Sequence, residues 1–262
     1  MNALPIARLQ FATTTSFHFL FVLLTLGLVT LVAVMQTRWT LGGKPELLRM
    51  TRFWGRLYVI NYALGIVTGI VMEFQFGLTW TGLSTFAGDV FGAPLAIETL
   101  VAFFLESTFL GLWIFGFGRL PKGLHLALIW LVTLTAYASA LFIMLANSFL
   151  QNPAGSHLEH GTLHLDDFGA LFANPALAAS LPHVTGAAIV TGGFFVVGVS
   201  AWHFLRRTAE AVPAGQILFS FIAFSLLFAA LAVADWVLMA RVAKRGPDPV
   251  DEPAGLPVLS GV

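Results

Sequence analysis

Cysteine is absent from the 262 residues. This excludes disulfides, thiolate metal sites and covalent attachment of a prosthetic group through Cys. Charge is scarce as well: Asp, Glu, Lys and Arg make up 10% of the chain, against about 25% in an ordinary soluble domain. Net charge is zero and there is no basic tract, which argues against a nucleic-acid partner. The N-terminus has no short apolar segment closed by small residues, so no separate signal peptide is expected. What fills the chain instead is apolar: 58% hydrophobic residues and a mean hydropathy of +0.86. With no thiol to draw on, seven histidines, the few carboxylates and the Met thioethers remain as candidate ligands. The composition is that of a polytopic membrane protein.

About 20 apolar residues are needed per helical crossing, and six such stretches are legible. They run roughly over 12–35, 53–76, 93–117, 124–146, 181–205 and 216–240, an all-α transmembrane bundle. Residues 1–11, with Pro5 and Arg8, read as an interfacial lead-in. Gln151-Asn152-Pro153 breaks the fourth span, and a polar loop carrying His157, His160 and His164 follows. The chain divides into a five-helix region 1–205, a last span within 206–246 and a Pro-rich tail 247–262 that reads as disordered.

Loop charges give an orientation. Arg38, Lys44, Arg49 and Arg52 separate spans one and two, and Arg119 and Lys122 separate spans three and four. The loops after spans two and four carry no Lys or Arg. By the positive-inside rule the N-terminus lies outside. Arg206 and Arg207 then follow span five as expected, yet Arg241, Lys244 and Arg245 follow span six, so both its ends carry the cytoplasmic signature. Loss of an odd number of helices between spans five and six produces that conflict.

The third span organises the rest. It holds Glu98 and Glu106, eight residues apart, which an ideal helix places about 12 Å apart along its axis and about 80° apart around it. A carboxylate at the bilayer centre costs at least ~2.5 kcal/mol, so two in one span face protein, cofactor or water. They serve either as interhelical hydrogen-bonding groups or as part of a proton path or cofactor pocket. His18, His183 and Glu73 fall toward the same outer face, with Glu106 nearer the midplane. Each histidine alone could be a satisfied interhelical partner. Two at similar depth beside three carboxylates point to a cofactor, and neutral imidazole suits iron. His157, His160 and His164 have helix-compatible spacings that can build a metal face, although solvated loop histidines are the commoner case. His125 and His203 read as interfacial. Asp235, late in span six, has no obvious partner.

Several stretches resemble subunit I of the cytochrome bd-type quinol oxidases: Arg8-Leu9-Gln10-Phe11, Phe17-His18-Phe19-Leu20-Phe21, Thr51-Arg52-Phe53-Trp54-Gly55-Arg56, and Met72-Glu73-Phe74-Gln75-Phe76-Gly77. The resemblance continues through Phe91-Gly92-Ala93-Pro94-Leu95-Ala96-Ile97-Glu98, Phe103-Phe104-Leu105-Glu106-Ser107-Thr108, Ser139-Ala140-Leu141, Asn147, Gln151-Asn152-Pro153, and His183 to Trp202. It implies a bacterial plasma-membrane protein that passes electrons from quinol to dioxygen. The implied cofactors are two b-type haems, one low-spin and one high-spin, with haem d as the third type. The implied partners are quinol, dioxygen, a second membrane subunit and membrane lipid. Carried over by motif, His18 resembles an axial ligand of a high-spin haem and His183 one axial ligand of the low-spin haem. Glu98 and Glu106 resemble the carboxylates serving the high-spin haems and their proton route. Arg8, Glu73, Ser139 and Asn147 fall at positions of the haem surroundings or of proton access.

The departures from the family are equally specific. Three further helices, the outer loop associated with quinol binding and the Met completing the low-spin haem's coordination have no counterpart here. Met144 stands at about the right depth to offer a sulfur but matches no ligand position, and packing is its simpler role. The competing class is therefore a non-catalytic haem-binding or structural paralogue that assembles with a full-length partner.

Overall fold

In a computed structural model, residues 3–206 are described. The sixth span, Asp235 and the tail 247–262 lie outside the described residues. The helices are α1 (Ala3–Gly42), α2 (Pro45–Leu78), α3 (Thr81–Ile97), α4 (Phe104–Gly116), α5 (Lys122–Gln151), α6 (Phe168–Phe172) and α7 (Pro175–Leu205). A π-helical turn, Glu98–Phe103, joins α3 to α4 without a break, so that Thr81–Gly116 is one rod. Five helices among the described residues are long and apolar enough to cross a membrane: α1, α2, the α3–α4 rod, α5 and α7. This is the helical multi-pass bundle that hydropathy implied.

The helices begin earlier than hydropathy alone indicates. Helix α1 already runs from Ala3, so Arg8 lies on it and not in a separate lead-in. Helix α2 begins at Pro45, eight residues before the expected Phe53, because proline at the first helical position loses no intrahelical hydrogen bond. Helix α7 starts at Pro175 for the same reason, with the Asn174 side chain accepting from the Ala176 amide at 2.9 Å. The third rod begins at Thr81 and not at Ala93. Pro94 lies inside it and cannot donate to the carbonyl four residues back. The π turn follows four residues later and rotates everything beyond it. The 80° offset expected between Glu98 and Glu106 on an ideal helix therefore does not apply.

The segment after α5 also differs from a plain loop. Ser156–Glu159 (β1) and Thr162–Leu165 (β2) form an antiparallel hairpin pairing His157 with His164 and Glu159 with Thr162. Its two-residue turn has positive φ at both His160 (47°) and Gly161 (86°), the geometry that matches the twist of the flanking strands. The strand period of two puts Leu163 and Leu165 on one face, against the outer core cluster of Val90, Phe91, Leu145 and Phe149. The histidines therefore follow strand geometry, not a helix. Among the described residues no three His, Asp or Glu side chains are placed to hold a metal ion. Met144 is buried in this same cluster, consistent with packing.

Helix α1 is the centre of the bundle. Leu28, Val29, Val32 and Ala33 are fully buried against α2, α4, α5 and α7. At its contact with α7 the backbones meet directly. A Cβ on Gly27 would lie 2.2 Å from the Ala188 carbonyl oxygen, and one on Gly192 would lie 2.7 Å from the Gly27 carbonyl carbon. Such a crossing admits only glycine, the small-residue contact by which membrane helices gain close packing.

At the basic end of the bundle His125 is buried, not interfacial as its sequence position suggested. Gln36 Nε2 donates to His125 Nδ1 at 2.8 Å, Trp113 Nε1 donates to Gln36 Oε1 at 2.8 Å, and His125 Nε2 donates to the Trp113 carbonyl at 2.9 Å. Three helices are tied by one satisfied network. Gln36→Leu leaves two buried polar groups unpaired at about 1–3 kcal/mol each. A loss of about 2–6 kcal/mol is expected for this variant in mixed-detergent unfolding, against a control such as Thr108→Ala, whose hydroxyl bonds only its own helix.

Candidate functional site

Helix α3 and the π turn bring Glu98 against two neighbouring helices. Glu98 Oε1 accepts from Ser139 Oγ of α5 at 2.5 Å, and Glu98 Oε2 accepts from Thr99 Oγ1 at 3.1 Å. The same Thr99 hydroxyl reaches Glu73 Oε1 of α2 at 2.9 Å. Glu73, Thr99, Glu98 and Ser139 thus form one row of alternating carboxyls and hydroxyls across three helices. Thr99 has a single hydroxyl proton to satisfy two carboxyl groups, so the row is complete only when a further proton bridges it. Sequence reasoning passed over Thr99, which follows Glu98 directly. An uncharged hydroxyl in an apolar run carries little signal until the helix opposite is known.

Glu106 is separate from this row. It is 4% exposed, and its nearest polar partner is the Tyr58 hydroxyl at 3.5 Å. One turn along α2, Tyr62 bonds Ser107 at 2.9 Å. Two of the chain's three tyrosines, spaced four apart on one helix face, are the signal that could have found this second polar patch.

His18 is half-buried on α1 with its ring against Gly69 of α2, where an added Cβ would stand 3.0 Å from Cε1. Its Nδ1 lies 3.1 Å from Thr68 Oγ1. The Thr68 proton is directed back to the Leu64 and Gly65 carbonyls, each at 3.0 Å. The hydroxyl therefore accepts from Nδ1–H, and Nε2 keeps its lone pair for an external ligand. His183 is exposed on α7 beside Pro182. His18 stands nine positions before Gly27, and His183 stands nine before Gly192. Alternating crossings make α1 and α7 parallel, so both histidines sit about 13–14 Å along their axes from the shared glycine contact. The similar depth expected from sequence has this crossing as its structural basis.

Two further expected positions stand apart. Arg8 is exposed in the first turns of α1, and Asn147 is exposed on α5, where its Oδ1 accepts from Gln151 at 3.2 Å. Neither joins the carboxylate row.

The hairpin histidines are held by carboxylates. His157 Nδ1 lies 2.8 Å from Asp166 and its Nε2 lies 3.4 Å from Glu159, while His164 Nδ1 lies 3.5 Å from Asp89 of α3. Asp89 also accepts from the Leu165 amide at 3.2 Å. The Asp166 hydrogen bond, with Glu159 adding to it, raises the His157 pKa above its ordinary 6.5. A raised folded-state value means a contribution fully present below pH 6.5 and lost as pH rises through the folded value. Hairpin amides are therefore expected to exchange faster above that raised value than below pH 6.5, after correction for intrinsic rates. In His157→Gln most of that difference should vanish; an unchanged profile would show that His157 does not hold the hairpin.

The residues present fit a porphyrin iron at two points. His18 offers an Nε2 whose tautomer is set by Thr68, and His183 has no hydrogen-bond partner among the described residues and opens outward. Among the described residues Met144, the sulfur at the expected depth, is buried in the core and is not offered as a ligand.

Comparison with known proteins agrees with the sequence motifs. The family described as cytochrome bd terminal oxidase subunit I matches residues 6–213. Over 207 residues the chain is 53% identical to cytochrome bd ubiquinol oxidase subunit 1 of Bacillus subtilis (strain 168), covering 79% of this chain and 44% of that one. It is 48% identical over 207 residues to cytochrome bd-II ubiquinol oxidase subunit 1 of Escherichia coli (strain K12), covering 78% and 40%. The structure of the bd oxidase from Geobacillus thermodenitrificans superposes with a TM-score of 0.79 at 29% identity, covering 88% of this chain and 55% of that chain. The chain thus spans about two-fifths of the length of these two subunit 1 relatives. The matched residues include α1, α2, the α3–α4 rod, α5 and α7, and with them both histidines and the carboxylate row. On this evidence the chain belongs to the cytochrome bd terminal oxidase subunit I family.

Proposed function

We propose that this chain is a haem-binding membrane subunit of a bd-type quinol:oxygen oxidoreductase, working with a second membrane subunit in the bacterial plasma membrane, its N-terminus outside. The observation that carries this reading is the row Glu73–Thr99–Glu98–Ser139, set in a membrane span at the same end of the bundle as His18 and His183. Four protons are consumed when dioxygen is reduced to two waters by two quinols. A row of exchangeable hydroxyl and carboxyl protons spanning three helices is suited to deliver them. Haem, when bound, supplies one-electron relays and the site of oxygen reduction; low-spin and high-spin haem b and haem d are the types the family carries.

The chain's own residues then have separate tasks. His18, oriented by Thr68, and His183 hold iron. Ser139 and Thr99 orient Glu98 and exchange protons with it. Glu106, buried beside Tyr58, extends the polar path toward the midplane. Arg8 and Asn147, at the outer end, belong to the surroundings of the haem groups.

A second reading is favoured by the two-fifths coverage: a haem-binding or structural paralogue that assembles with a full-length partner. A reduced-minus-oxidised spectrum of the purified chain tests the shared premise, and haem b bands are expected; membranes rich in the protein but without haem bands would sink both haem readings. Turnover separates them. Expressed in a strain without other terminal oxidases, the chain by itself is expected to show no quinol-driven oxygen uptake. Uptake restored by the second subunit and abolished by Glu98→Ala supports the oxidase reading. Uptake that requires a full-length subunit and is indifferent to Glu98→Ala supports the paralogue.

A further inference from the structure

The end of the bundle opposite the carboxylate row carries nearly all of the positive charge of the described residues. Arg38, Lys44, Arg49, Arg52, Arg56, Arg119, Lys122 and Arg206 lie there, and among the described residues Glu46 is the one acid with them. That Glu46 reaches Arg49 at 4.0 Å, which leaves the rest unneutralised among the described residues. Between the end of α1, the start of α2 and the α4–α5 turn lies a cavity of about 290 Å³, lined by Trp39, Leu48, Arg52, Phe117, Leu120 and Lys122.

Its two cations are held in a specific way. The Arg52 guanidinium stands 5.4 Å over the Phe117 ring, and the Lys122 ammonium stands 5.3 Å over the Trp39 ring. Stacking on rings fixes each head group and its aliphatic stem but leaves the N–H donors unspent. His125, at the cavity wall, has both ring nitrogens engaged by Gln36 and Trp113 and is a neutral surface. The cavity is thus a dipositive recess with aromatic and leucine walls, at the level where a membrane helix meets the headgroup layer.

We propose that this recess binds the phosphodiester of an anionic phospholipid, with Arg52 and Lys122 on the phosphate oxygens and Leu48 and Leu120 against the start of the acyl chains. Arg presents paired N–H donors to phosphate and Lys supplies a point charge. The volume favours a headgroup: cofactor and drug-sized sites run from about 300 to 1,000 Å³, and this recess is at their lower limit. The surplus of cations makes a zwitterionic lipid a poor match and an anionic one a good match. The site does not depend on the oxidase reading, because its lining does not include His18, His183 or the residues of the carboxylate row.

The test is native mass spectrometry of the full chain with phosphatidylglycerol, phosphatidylcholine or inorganic phosphate. Phosphatidylglycerol is expected to be retained in preference to phosphatidylcholine. Each of Arg52→Gln and Lys122→Gln should weaken that retention about fivefold. Arg38→Gln and Lys44→Gln, taken singly, each remove the same charge from the same end and should each leave retention within twofold. Equal losses in the two pairs would show a diffuse surface field and overturn the site. Equal retention of the two lipids by the unmodified chain would overturn it without recourse to any variant. Displacement of phosphatidylglycerol by millimolar inorganic phosphate would make this a free-anion site and overturn the lipid assignment.

Discussion

Replacing His18 by Ala is expected to remove one haem from the purified chain outright and to leave any haem at His183 largely in place. The expectation rests on the tautomer. Thr68 directs its proton to its own helix and the Gly65 carbonyl also lies in hydrogen-bond reach of the ring, an arrangement that places the His18 proton on Nδ1 and leaves Nε2 for the proposed iron. A partner of this kind is worth about 10- to 100-fold in metal affinity. Thr68→Val should therefore reduce occupancy at His18 by about that factor while leaving the helix intact. Haem per chain by pyridine haemochrome, with the Soret band recorded alongside, reads both variants. In His183→Ala the complementary loss is expected: a haem that is high-spin or binds carbon monoxide readily, because the described residues offer no sixth ligand. If His18→Ala and Thr68→Val both retain full haem, His18 is a packing residue and the assignment fails.

The second large effect is expected at Gly27. With a substituted Cβ at 2.2 Å from the Ala188 carbonyl, no side-chain rearrangement relieves the clash, and α1 must move away from α7. Overpacking of this kind costs about 1–3 kcal/mol. Gly27→Ala should shift the two helices apart by about 1–2 Å, toward the ordinary 8–10 Å interaxial spacing of helices in contact through side chains. His18 and His183 ride on those helices, so their separation should change with it. The absence of Cys allows a direct measurement: spin labels at Phe19→Cys and Ala179→Cys, both exposed positions, report the distance without background. Gly192→Ala should give the same displacement. An unchanged distance in both variants would mean that the crossing does not set the spacing of the histidines.

The family was legible because its signal is carried by contiguous words such as Gly92-Ala93-Pro94-Leu95-Ala96-Ile97-Glu98, which survive without any three-dimensional information. The site was legible only in part. Glu98 and Ser139 were both singled out and do meet, but Thr99 and Thr68 were missed. Hydroxyl residues in apolar spans satisfy themselves on the preceding turn as a rule, as Thr133 and Thr135 do here. Nothing local distinguishes Thr99 from them. His125 was misplaced for the opposite reason: a position near a helix end looks interfacial until Gln36, 89 residues away, is seen to cap it.

By itself the sequence determined the membrane class, the number of crossings within residues 3–206 and the end at which the positive charge collects. Each depends on hydropathy summed over about 20 residues or on charge counted in loops, quantities with no reference to neighbours. Tertiary structure decided which polar groups meet. Thr68 lies 50 residues from His18, Glu73 lies 26 from Thr99, and Ser139 lies 41 from Glu98. Such pairs depend on how each helix is rotated about its axis. Apolar helices carry little amphipathic signal for that rotation, because lipid and protein core are nearly equivalent to Leu and Phe. The rotation was decided by features that emerge only on packing: the Gly27–Gly192 backbone contact, and the π turn after Pro94 that resets how α4, and Glu106 on it, is rotated relative to Glu98.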